Sequence, residues 1–71
     1  MEKIDRAGNI VVIKTISGMA QGAAAAVDSM GRSDVVGSVA GDDTIIIVMR
    51  TSDSAQSLMD ELDAITSERR G

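Results

Sequence analysis

Two adjacent carboxylates, Asp42 and Asp43, stand in the run Gly41-Asp42-Asp43-Thr44 between two strongly apolar segments. Neighbouring carboxylates repel, and burying them without a cation costs several kcal/mol. The pair therefore reads either as a solvated turn, which is ordinary chemistry for Gly-Asp-Asp, or as an anionic grip for a cation. Successive side chains on an extended segment point to opposite faces, so the two acids could serve different pockets or different subunits and hold two ends of one dication. Gln21 and Asp28 fall roughly two turns apart on one helix, share a face and could line one groove. Asp28 sits near the C-terminus of that helix, where its charge opposes the macrodipole by a few tenths of a kcal/mol. That placement also fits an exposed acid tolerated at small cost.

The chain has no Cys and no His. The usual nucleophile and base pairs cannot be assembled, and the sequence is read as that of a non-enzyme. Two carboxylates could hold Mg²⁺ in principle, which leaves a small metal-dependent hydrolase as a remote reading, but a structural zinc site lacks its ligands. Gly18 and Gly22 match neither the dinucleotide nor the P-loop spacing and are read as packing and capping residues. A net charge of −4 and scattered basic residues argue against a phosphate-binding surface. No apolar run approaches the roughly 20 residues that span a bilayer, and no signal peptide is evident. A cytoplasmic location is the default expectation, with no cofactor, no metal and no membrane partner.

The elements that must position these residues follow from pattern. Ala7-Gly8-Asn9 is a turn signal between a short charged stretch and residues 10–15, whose Ile and Val suit a strand, so a hairpin is expected. Residues 19–30 are rich in Ala and predict a first helix, with Ser17 as its N-cap and Gly31 as its stop. Ala20, Ala23, Ala24 and Val27 form its apolar stripe, while Gly22, Ala25 and Ala26 leave the far side small enough for close packing from a second direction. Residues 35–40 and 44–50 predict a second hairpin across the Gly41-Asp42-Asp43 turn. Thr51, Ser52, Asp53 and Ser54 offer N-caps for a second helix carrying Leu58, Leu62 and Ile65, which should fray into a polar tail from Ser67.

The order β-β-α-β-β-α most simply makes a two-layer α/β (α+β) domain, a four-stranded antiparallel sheet with two helices on one face. Ile45, Ile46, Ile47, Val48 and Met49 do not alternate with polar residues, so both faces of that strand should be covered. One helical layer covers one face, which makes the other a candidate subunit interface. Size points the same way. A chain of 71 residues with no aromatic side chain and no disulfide buries a modest core, and association is the remaining supplement.

Taken together, residues 7–15, the segment Gly18-Met19-Ala20-Gln21 and above all Val36-Gly37-Ser38-Val39-Ala40-Gly41-Asp42-Asp43-Thr44-Ile45 closely resemble the C-terminal domain of the bacterial arginine repressor, over nearly the whole chain. The resemblance implies that residues 1–71 form one arginine-binding oligomerisation domain that trimerises, pairs two trimers into a hexamer and takes L-arginine at the contact between trimers. It places the ligand contacts on Gln21, Asp28, Asp42 and Asp43, with the main chain near Ala40. DNA would be reached only through an N-terminal winged helix-turn-helix domain, which nothing in this chain matches. Many members have Pro where Ser17 stands, and the connection from Asp28 to Gly41 varies in length. The chemistry of the ligand fits the acids: a guanidinium pairs a carboxylate bidentately, and an α-ammonium takes a second acid. The alternative is an amino-acid-binding regulatory module once attached to a metabolic enzyme, of similar size and β-α-β layout.

Overall fold

A computed structural model describes the backbone of residues 2–70 and the side chains of residues 2–66. The chain runs β1 (Lys3–Ala7), β2 (Ile10–Lys14), α1 (Ala20–Ser29), β3 (Val35–Ala40), β4 (Thr44–Met49) and α2 (Ser52–Arg70). All neighbouring strands are antiparallel, in the order β1-β2-β4-β3. Gly8 closes the first hairpin at φ 60°, a conformation that costs glycine nothing, and Gly31 ends α1 in the same way at φ 66°.

Register decides which side chains meet. Val11 stands opposite Ile47 and Ile13 opposite Ile45, and all four are fully buried with Met49 beneath the helices. Ala20 and Val27 from α1 and Ala55, Leu58 and Leu62 from α2 close that core. Both helices therefore lie on one face of the sheet. The opposite face carries Val12 across from Ile46 and Ile10 across from Val48, with Val39 beside Ile46. Ile46 is 44 % exposed and Val39 71 %, so the strand that fails to alternate in sequence buries one face only within a single chain.

Two details depart from the sequence reading. Met19, not Ser17, is the N-cap of α1, and it makes no side-chain capping bond. The Ser17 hydroxyl is engaged with Asp42 instead, and the main-chain oxygen of Asp42 accepts from the amides of Gly18 and Ala20 at 3.0 and 3.3 Å, which meets the helix's need for an acceptor. At the other helix, Thr51 and Ser54 exchange hydrogen bonds: the Ser54 amide donates to Thr51 Oγ1 and the Thr51 amide to Ser54 Oγ, each at 3.0 Å. α2 then continues to Arg70 through the segment expected as a tail, because extending a formed helix fixes one residue per added bond and needs no new nucleus.

Arg32, in the connection from α1 to β3, ties that connection to the middle of α2. Its guanidinium pairs both oxygens of Asp34, at 2.9 and 2.7 Å, and also reaches Glu61 and Ser57 on α2. The Arg32 side chain is only 16 % exposed. The hydrogen bond from Arg32 holds the Asp34 carboxyl below the usual carboxylate range, and the same bond raises the guanidinium's own pKa.

Candidate functional site

The tight link between β3 and β4 places the two acids. The Gly41 amide donates to the Thr44 oxygen at 2.8 Å, which brings the strands together and leaves Asp42 and Asp43 at the tip. The tip is fastened to the chain that leads from β2 into α1. Asp43 accepts from the Thr15 amide through its main-chain oxygen at 2.7 Å, continuing the β2–β4 ladder by one step. Asp42 serves the start of α1 through its own main-chain oxygen, as described above. Both acids thus spend their backbone on fixing the turn, and their side chains remain available.

Those side chains have different neighbours. Asp42 Oδ2 accepts a 2.7 Å hydrogen bond from the Ser17 hydroxyl, a neutral donor. Asp43 Oδ1 accepts from the Thr44 hydroxyl at 2.8 Å, and its Oδ2 lies 3.6 Å from the Lys14 ammonium, which itself donates to Thr44 Oγ1 at 2.9 Å. The Thr44 hydrogen bond, followed by the charge of Lys14, holds the Asp43 carboxyl below its ordinary value. Both acids are exposed in the single chain.

Gln21 lies in the first turn of α1, and its amide donates to the main-chain oxygen of Ala40 at 3.2 Å. The structure therefore brings Gln21, Ala40, Asp42 and Asp43 to one end of the domain. Asp28 is not among them. It is seven positions beyond Gln21, a rise of about 10 Å along the helix. Its carboxylate is exposed and engages no described residue.

Sequence reasoning passed over Ser17, Lys14 and Thr44 as partners of the acids. Lys14 and Thr44 stand directly opposite each other across β2 and β4, a relation that becomes visible only once those two non-consecutive strands are known to pair. No signal local to either residue points to it. Among the described residues no three acids converge as a metal ion would require, and no helix is long and apolar enough to cross a membrane.

Residues 1–64 match the family model described as arginine repressor, C-terminal domain. The arginine repressor of Caldicellulosiruptor bescii is 52 % identical over 66 residues, covering 93 % of this chain and 43 % of the relative. That of Thermus thermophilus is 46 % identical over 67 residues, covering 94 % and 41 %, and that of Alkaliphilus oremlandii is 54 % identical over 57 residues, covering 80 % and 38 %. The chain spans about two fifths of the length of these relatives, whose name is that of a repressor and not of an enzyme. With the match running from the first strand through most of α2, the chain belongs to the family of arginine repressor C-terminal domains.

Proposed function

We propose that this domain senses L-arginine as the effector-binding and oligomerisation part of a transcriptional regulator of arginine metabolism, acting in the cytoplasm. The observation that carries the reading is the end of the domain where Asp42, Asp43, Gln21 and the Ala40 carbonyl gather on a backbone frame. The acids match the two cationic ends of arginine, and the Gln21 amide is a donor for its carboxylate. Contact with DNA is assigned to a part of the protein outside these 71 residues, in line with the chain's negative charge. The relatives' shared name favours this reading over a regulatory module of a metabolic enzyme.

Exposure of the acids is the reason to expect assembly. A charge pair open to water contributes little, so a selective site for a zwitterion needs a second surface to exclude solvent. The domain has the means to recruit copies of itself. Ile10, Val12, Val39, Ile46 and Val48 form an apolar sheet face that the helices do not cover. In the proposed arrangement this face builds a trimer and the acid-bearing ends of two trimers meet around the ligand, with Asp28 reaching the site only from a neighbouring copy. Ligand that bridges two trimers binds the hexamer better than its parts and so stabilises it.

Sedimentation at high dilution, with and without L-arginine, tests the proposal. The expected result is a species of lower mass that doubles on adding arginine, or a hexamer throughout whose Tm rises with arginine. At about a hundredfold the dissociation constant the linkage amounts to roughly 2.7 kcal/mol per site. Lysine should do much less, because a compact ammonium cannot form the bidentate pair. An arginine titration that moves neither mass nor Tm removes the sensor.

A further inference from the structure

Asp42 and Asp43 are adjacent in sequence and unlike in surroundings, and the difference is a single cation. Among the described residues Asp42 carries only the neutral Ser17 hydroxyl. Asp43 carries Thr44 on one oxygen and the Lys14 ammonium 3.6 Å from the other. Lys14 is held in place from two directions. Its ammonium is anchored on Thr44 Oγ1 at 2.9 Å, and Lys3 stands directly opposite it on β1, so like-charge repulsion disfavours a swing away from β4.

We infer that Lys14 is the resident counter-cation of the candidate site, which an incoming cationic group must displace or share at Asp43, and that it thereby sets how much L-arginine the domain needs. The inference rests on the proposed reading that Asp43 receives one cationic end of the ligand. Lys14 lies on the same sheet face as Val12 and Ile46, at the margin of the uncovered apolar patch. Closing that margin against a second copy would dry the Lys14–Asp43 pair and deepen the competition, since charges interact more strongly where water is excluded. Asp42, with no cation beside it among the described residues, keeps its full attraction for the ligand's other end. Lys14 therefore makes two chemically identical carboxylates inequivalent.

The pairing and its consequence are measured together, on the parent domain, Lys14→Gln and Lys14→Arg. Carboxyl NMR titration reads the ligand-free pairing: the Asp43 pKa should rise in Lys14→Gln and stay near the parent value in Lys14→Arg. Calorimetric titration with L-arginine reads the threshold: Lys14→Gln should bind about three- to tenfold more tightly, the scale expected of one half-exposed like charge removed from beside a cation. Lys14→Arg, which keeps the charge and can pair Asp43 bidentately, should bind no more tightly than the parent. Citrulline keeps the α-ammonium and lacks the guanidinium charge, so a smaller gain from Lys14→Gln than arginine's assigns the guanidinium to Asp43 and an equal gain assigns the α-ammonium. An Asp43 titration that ignores Lys14→Gln, or an arginine affinity that is unchanged or weaker in that variant, overturns the inference while leaving the sensor standing; weaker binding would assign Lys14 to the ligand's carboxylate. A parent domain that does not bind arginine overturns both.

Discussion

Ser17 donates its hydroxyl proton to the Asp42 carboxylate at 2.7 Å, while the main-chain oxygen of the same Asp42 receives the amides of Gly18 and Ala20. One residue at the tip of a β-turn thereby fixes the start of the helix that carries Gln21 and still presents an anion. Backbone and side chain of Asp42 have separate duties. A substitution that keeps the backbone can therefore remove the charge without unfolding the frame.

That separation makes the acid pair open to direct test. Asp42→Asn and Asp43→Asn should each weaken L-arginine binding by roughly tenfold or more, since each leaves one cationic end of the ligand without its charged partner. Asp53→Asn and Asp63→Asn, both on α2 and exposed, should stay within about threefold of the parent. Calorimetric titration of the four variants decides the matter, and similar affinity in all of them would remove the acids from the site.

The two central residues of β4 should fail in different ways. Ile47 is fully buried against the helices and Ile46 is 44 % exposed on the other face. Ile47→Asp puts a carboxylate into an apolar core with no cation to meet it and should abolish folding, at a cost of several kcal/mol. Ile46→Asp should give a soluble domain with parent-like circular dichroism and lower mass in sedimentation. An Ile46→Asp variant that retains the parent mass would show that the uncovered sheet face does not join copies.

Arg32 should give stability a specific dependence on acid. Its hydrogen bonds hold the Asp34 carboxyl below the ordinary value of a carboxylate, so the contribution is present above about pH 4 and is lost as pH falls through the lowered folded-state value. Arg32→Met should lower Tm at neutral pH by roughly 4–8 °C, the response of a domain this size to losing a part-exposed network of hydrogen bonds to Asp34, Glu61 and Ser57. The gap between parent and variant should then narrow below about pH 4. Thermal melts from pH 2 to pH 7 would show this, and a gap independent of pH would mean that Arg32 acts through packing alone.

The strands and their turns could be read from the chain because each is specified locally. A charged stretch parted from an apolar run at Gly8, and two apolar runs parted at the Gly41-Asp42-Asp43 turn, leave few alternatives, and the structure places β3 at the residues expected, Val35–Ala40. The four-stranded sheet with both helices on one face also agrees with the expectation. Long-range partners were not legible. Ser17 has the composition of an N-cap, and only the arrival of Asp42, 25 positions later, diverts its hydroxyl. Arg32 gave no signal because Glu61 and Ser57 approach it only after α2 has docked. The gathering of Gln21, Ala40 and the acid pair was expected from family resemblance; spacing alone left Asp42 and Asp43 equally readable as a solvated turn.

The position of β4 between β2 and β3 bears on how the chain survives its own synthesis. Ile45-Ile46-Ile47-Val48-Met49 has no charge, no proline and strong β-propensity, the makeup of a segment that seeds amyloid-like stacking when its edges are free. In the finished sheet neither edge is free, because β2 occupies one and β3 the other. Both neighbours precede β4 in the chain, so they are already made when the hazardous segment emerges from the ribosome. Asp42 and Asp43 before it and Arg50 after it act as charged gatekeepers in the interval before pairing is complete. The acids at the tip of the turn thus have a second reason to be charged, one that applies before any ligand or partner copy has been met.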